Sequence, residues 1–214
     1  MTETLDQIKH RVRLLQLLAS AEQAALAPIS LEKLHAFAYL ADILSPVWNL
    51  RPFEDRIGRT GRPPYYPDLQ LQLDLLVGMG LVEPSELSYT VEDGGDARFS
   101  ASYALRFASP HLQPITNELG DDQDSAAEQK FLDALAEALA SLPDDEIAQA
   151  ASHDLAYERS ASDLEDYLEL DSIVGTSRTE RAVASFDQVF PGSKLTPARR
   201  LYMYANYLGR RANG

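Results

Sequence analysis

Arginine and tyrosine recur side by side in two stretches of the chain. The first is RPFEDRIGRTGRPPYY, residues 51 to 66, with Arg56, Arg59, Arg62, Tyr65 and Tyr66. The second is ARRLYMYANYLGRR, residues 198 to 211, with Arg199, Arg200, Tyr202, Arg210 and Arg211. A planar guanidinium beside a phenol ring offers broad contact area and directional hydrogen bonds. That pairing suits nucleic acid and protein hot spots alike. In a chain of net charge −14 we read both stretches as protein-contact candidates.

Residue types that catalyse are harder to assemble. Cysteine is absent, which removes thiol nucleophiles, disulfides and thiolate metal sites together. The four histidines, His10, His35, His111 and His153, stand too far apart in sequence to pair on one helix face as metal ligands. His35 lies inside an apolar helix and reads as a core or interface histidine. GMG at 78 to 80 is too short for a dinucleotide fingerprint, and GTS at 175 to 177 lacks the setting of a nucleophile elbow. Asp144-Asp145-Glu146 and the acids from Asp163 to Asp171 read as solvated helix faces. Asp121, Asp122 and Asp124 lack the glycine and distal glutamate of a calcium loop. The expectation is no catalytic residue, no metal and no cofactor. An enzyme holding metal on the acidic C-terminal helices is the weakest alternative.

Charge is segregated along the chain. Residues 1 to 112 carry 14 acids and 10 bases, residues 113 to 171 carry 17 acids with only Lys130 and Arg159, and residues 172 to 214 carry two acids and seven bases. An acidic face and a basic tail meeting different neighbours fit this distribution. No apolar run reaches the length of a membrane span, and the N-terminal segment reads as an amphipathic helix, so a cytoplasmic location is expected.

The elements that must position these residues follow from periodicity. Leu5, Ile8, Val12, Leu15 and Leu18 mark a first helix, and Leu31, Leu34, Ala38 and Ala41 a second, capped by Ser30. Prolines and glycines between 46 and 67 make a long loop. A third helix follows, capped by Asp68, with Leu69, Leu73, Leu76 and Val77 as its stripe and Gly78 and Gly80 at its end. Residues 87 to 105 alternate about the turn EDGGD as a β-hairpin. The fold class is therefore mainly α with a small β-hairpin: a winged-helix-like domain over residues 1 to 110, a polar hinge, and a helical domain over 125 to 214. Helices are expected at 144 to 153, at 177 to 190, from Thr196 onward, and briefly from Ser162 to Tyr167.

A winged helix often reads DNA, but the third helix offers Gln70 and Gln72 between Asp68 and Asp74, with no Lys or Arg. Phosphate neutralisation supplies much of DNA affinity, and these carboxylates oppose it.

Lys33-Leu34, the run Phe37-Ala38-Tyr39-Leu40-Ala41-Asp42, then Tyr66-Pro67 and residues 75 to 82 resemble the small middle components of bacterial three-component ABC-ATPase defence systems of the Lamassu type. The pattern is also similar to the Panacea-type antitoxin domain, with a weaker echo at Asp154 to Tyr157. The resemblance implies a bacterial scaffold subunit, with an SMC-like or Rad50-like ATPase and an effector such as a nuclease as its partners. It carries over no catalytic residue. The expectation is a non-catalytic accessory subunit whose direct contact with DNA is at most secondary. The alternative is a winged-helix DNA-binding transcription regulator or antitoxin.

Overall fold

The computed structural model describes residues 4–53, 56–58, 64–91, 97–160, 167–169, 178–189 and 195–212. Helix α1 spans Leu5–Gln23 and opens on a capping box. In it Thr4 Oγ1 accepts the Gln7 amide N–H and Gln7 Oε1 accepts that of Thr4. Strand β1 (Ile29–Ser30) leads into helix α2 (Leu31–Leu44). Ser30 caps α2 by accepting the Lys33 N–H at 3.4 Å. Ser30→Ala is expected to lower the unfolding free energy by about 1 kcal/mol, read as a shift of the urea midpoint.

Every residue of α2 from Leu34 to Leu44 is buried, so this helix runs through the centre of the molecule. That agrees with its apolar sequence. A 3₁₀ turn at Ser45–Trp48 ends it, and strand β2 (Arg56–Gly58) lies in the loop beyond.

Helix α3 spans Pro67–Gly78. Its N-cap is Tyr66, where the sequence pointed to Asp68. Proline at the first helical position brings a fixed φ and no N–H to satisfy, so the helix starts before Asp68 and places that carboxylate in its first turn. The C-terminus is a Schellman motif. Gly80 at φ +69° donates to the Val77 carbonyl, and Leu81 donates to that of Leu76, both at 3.0 Å. Gly80→Ala should cost roughly 1 kcal/mol, since a side chain resists the left-handed conformation. Thermal unfolding would record that loss.

Strands β3 (Val82–Val91) and β4 (Ala97–Leu105) form the hairpin. They pair antiparallel from Val82 opposite Leu105 to Val91 opposite Ala97, and β1 joins the other edge of β4. The sheet order is β1-β4-β3. The chain order α1, β1, α2, α3, β3 and β4, with β2 between α2 and α3, is the order expected of a winged-helix-like unit. Strand β1, too short for any periodicity, was not legible in the sequence. Between Ser85 and Ser88 the register shifts by one residue, a β-bulge with Glu86 at φ 50°.

The polar stretch read as a hinge contains helix α4 (Leu112–Asp121), which meets α5 (Gln123–Leu139) at the capping residue Asp122. Helices α6 (Asp144–Ser152) and α7 (Leu155–Ser160) follow. Strand β5 (Tyr167–Glu169) then pairs with β2, so Tyr167 is in a strand and not a helix. The rest of the short helix expected there lies outside the described residues. Helices α8 (Arg178–Val189) and α9 (Pro197–Ala212) stand where the sequence placed them.

Among the described residues the architecture is mainly α, with a small three-stranded antiparallel sheet and the two-stranded β2–β5 pair. Among the described residues a hydrophobic cluster takes in Leu14, Phe37, Leu76, Phe131, Leu139, Ile147 and Leu208, and so includes residues from both expected segments. Helix α6 packs on α2, α5 on α1, and α9 on α5 and α6. Polar ties run across the same junction. Arg13 pairs with Glu128, Lys33 with Asp144, and Ser20 donates to Asp133 at 2.6 Å. No helix among the described residues is long and apolar enough to cross a membrane.

Candidate docking faces and the buried frame behind them

The inner side of α3 carries Gln72, Leu73 and Leu76, all buried, with Leu69 and Val77 half-buried beside them. One helix cannot present the same residues on both sides. Gln72 is therefore unavailable to a groove of DNA, and Gln70 donates its amide to Asp74 at 2.7 Å. The two glutamines that might have read adenine are turned to internal use.

What faces outward is apolar and acidic. Leu71, Leu75 and Met79 are 51%, 44% and 53% exposed. Spacings of four residues align them along one side of the helix, and Asp68, three residues before Leu71, continues the line. Exposed Asp74 flanks it. Sequence reading assigned the inner stripe correctly and overlooked this outer one. Its signal was present: α3 has more leucines than one buried face needs. On the hairpin, Leu87 and Tyr89 are also exposed. The acidic turn between the strands lies outside the described residues.

The ten sequence candidates separate. Arg59 and Arg62 lie outside the described residues, and Arg56 begins β2, opposite Glu169 in register. Tyr65 is exposed, its ring 4.8 Å from that of His35. Tyr66 is a correction. It is buried, and its hydroxyl donates to Asp42 Oδ2 at 3.0 Å, so it belongs to the core and is closed to a partner. Proline 67 starts α3 immediately after it, which turns the tyrosine inward beneath α2.

On α9, Arg200 is half-buried against Asp187 at 2.6 Å, and Arg211 donates to the Tyr207 hydroxyl at 3.0 Å. Arg199, Tyr202 and Arg210 are exposed. Spaced by three and eight residues, they lie along one side of α9. The molecule thus presents an apolar-acidic line on α3 and a basic-aromatic line on α9.

Behind these faces sit two buried carboxyl groups. Asp154 is fully buried just before α7. Its Oδ2 accepts the Tyr39 hydroxyl at 2.8 Å and the N–H groups of Ala156 and Tyr157 at 2.9 and 3.2 Å. Its Oδ1 accepts the hydroxyls of Tyr204 at 2.6 Å and Thr179 at 2.8 Å. One side chain therefore caps α7 and ties it to α2, α8 and α9. Burial, then the adjacent Asp154, pushes both tyrosine hydroxyls far above the usual phenol range, which keeps them protonated as donors.

Asp42, buried on α2, accepts the Phe53 N–H at 2.9 Å as well as the Tyr66 hydroxyl. Arg13 stands 3.9 Å away and lies over the Phe53 ring, 5.5 Å from its centroid. Sequence reading placed Asp154 and Asp42 only within the quoted resemblance and gave neither a role.

Among the described residues, no group of three His, Asp or Glu side chains is arranged to hold a metal ion. The acids from Asp163 to Asp166, and Asp171, lie outside them. Compared with protein families, curated proteins and solved structures, the chain matches none.

Proposed function

We propose that this chain is a non-catalytic accessory subunit, a docking module that bridges an SMC-like or Rad50-like ATPase and an effector nuclease in a bacterial anti-phage or anti-plasmid defence complex. The observation that carries the docking role is the outer face of α3. In the place where a winged helix ordinarily meets DNA, the chain exposes Leu71, Leu75 and Met79 beside Asp68 and Asp74. A surface of that composition recognises protein. The opposite charge of the α9 line supports two different partners. The resemblance at residues 30 to 82 supplies their identity.

Co-expression with the products of the two flanking genes, followed by size exclusion, tests the reading. The chain is expected to co-elute with both. A wild-type chain eluting alone as a stable monomer overturns it. Salt-dependent binding of duplex DNA by the isolated chain, weakened by Arg59→Glu with Arg62→Glu, would favour a regulator or antitoxin instead.

A further inference from the structure

We propose that the outer face of α3 receives a basic amphipathic helix from a partner protein. In this complex the partner's apolar side chains lie over Leu71, Leu75 and Met79, and its Lys or Arg residues lie against Asp68 and Asp74. The inference deepens the docking reading and rests on it, adding which surface is used and what chemistry fits.

Three features of the face select this occupant. Its length is helical: from Asp68 to Met79 is eleven residue steps, about 16 Å at 1.5 Å per step, or three turns. A partner helix laid along it can place side chains from successive turns into the gaps between Leu71, Leu75 and Met79. Its own charges have one sign, because α3 contains two aspartates and no base, and Glu83 is exposed just beyond the helix end, where the exposed Arg106 guanidinium lies beside Gly80. Cations on the partner's flanks would be attracted, and nucleic acid would be repelled.

The third feature disfavours a second copy of this chain. Its own basic helix, α9, already spends its apolar side internally, with Leu201, Tyr204, Ala205 and Leu208 buried. Outside, α9 has exposed Tyr202 among its arginines, with Met203 and Tyr207 half-buried, which is too little apolar surface to cover three exposed side chains on α3. A partner helix with its own unburied leucines meets the requirement.

The test uses the full chain and two synthetic helical peptides of about twenty residues. One carries leucines at helical spacing with lysines on both flanks, and its twin carries glutamates in place of the lysines. Titration by fluorescence anisotropy should show the basic peptide binding the wild type and the twin failing to bind. Leu71→Glu with Leu75→Glu should weaken binding by about tenfold or more. Asp68→Asn with Asp74→Asn should weaken it by about threefold or more and flatten its dependence on salt. Both leucines are exposed, and far-ultraviolet circular dichroism checks that the fold persists. Leu71→Gln with Leu75→Gln repeats the test without adding charge.

Equal binding of the basic peptide to wild type and to both leucine variants overturns the proposal, since bulk acidity would then explain the signal. Equal binding of the glutamate twin overturns it as well. So does wild-type self-association in sedimentation velocity that the leucine variants abolish, which would make the occupant a second copy. In the co-elution experiment, a leucine variant that still travels with both partners removes α3 from the interface and leaves the accessory-subunit reading intact. A wild-type chain without partners removes that reading itself.

Discussion

Asp154→Ala is expected to lower the unfolding free energy by about 4 kcal/mol, among the largest effects of any single substitution here. The alanine would leave the hydroxyls of Tyr39, Tyr204 and Thr179 without their acceptor, and the N–H groups of Ala156 and Tyr157 uncapped. A buried donor stripped of its partner costs about 1–3 kcal/mol, and partial relaxation keeps the total below the sum. Asp154→Asn keeps one carbonyl oxygen for the α7 cap and lets hydroxyls rotate to accept from its amide, so about 1–2 kcal/mol is expected. Urea unfolding measures both as a lower midpoint at constant slope. An alanine variant within 1 kcal/mol of wild type would mean that the cluster does not hold α2, α7, α8 and α9 together.

The second large effect depends on pH. His35 is buried, and burial lowers its pKa from 6.5 to about 4. Its Nδ1 accepts the Tyr66 N–H at 3.3 Å, which fixes the neutral ring with its proton on Nε2. In the unfolded chain the imidazole takes up a proton as pH falls through 6.5, while in the folded chain it stays neutral until about pH 4. Between those values the unfolded state binds more protons, so stability must fall as pH falls. A shift of about 2.5 units corresponds to a loss of about 3 kcal/mol across the window, with no contribution above about pH 7. Unfolding curves at pH 7 and pH 4.5 should converge for His35→Gln relative to wild type. Other groups titrate in both proteins, so the difference between the two isolates the histidine. Identical pH profiles would show that His35 is charged or solvated in the folded state.

The sequence revealed elements wherever a local pattern determines them. Helix α2 was readable because Ser30 caps it and its apolar residues surround it, and the hairpin because side chains alternate about a glycine turn. Helix α1 was readable in position and less so in burial. Leu5 and Ile8 are exposed, whereas Arg11 and Arg13 are buried, because the first turns extend past the body they were expected to cover. Helix α3 shows the limit most clearly. Periodicity found its inner stripe but does not say that surplus leucines on the other side stay uncovered.

The polar cluster at Asp154 could not be read at all. Its partners lie 115, 25 and 50 positions away in sequence, and no period relates them. Tyr66 was misassigned for a related reason. Composition grouped it with the arginines, while its partner Asp42 belongs to another helix.

Strand β3 forms one edge of the sheet, and open edges invite pairing with other chains. This one carries several deterrents. Pro84 offers no N–H, the bulge between Ser85 and Ser88 breaks the regular spacing of hydrogen-bonding groups, and Glu83 and Glu86 are exposed along it. A chain that leaves a leucine stripe exposed is at risk of aggregation. The irregular β3 edge closes the strand-pairing route to that fate, which lets the chain tolerate an exposed apolar face on α3.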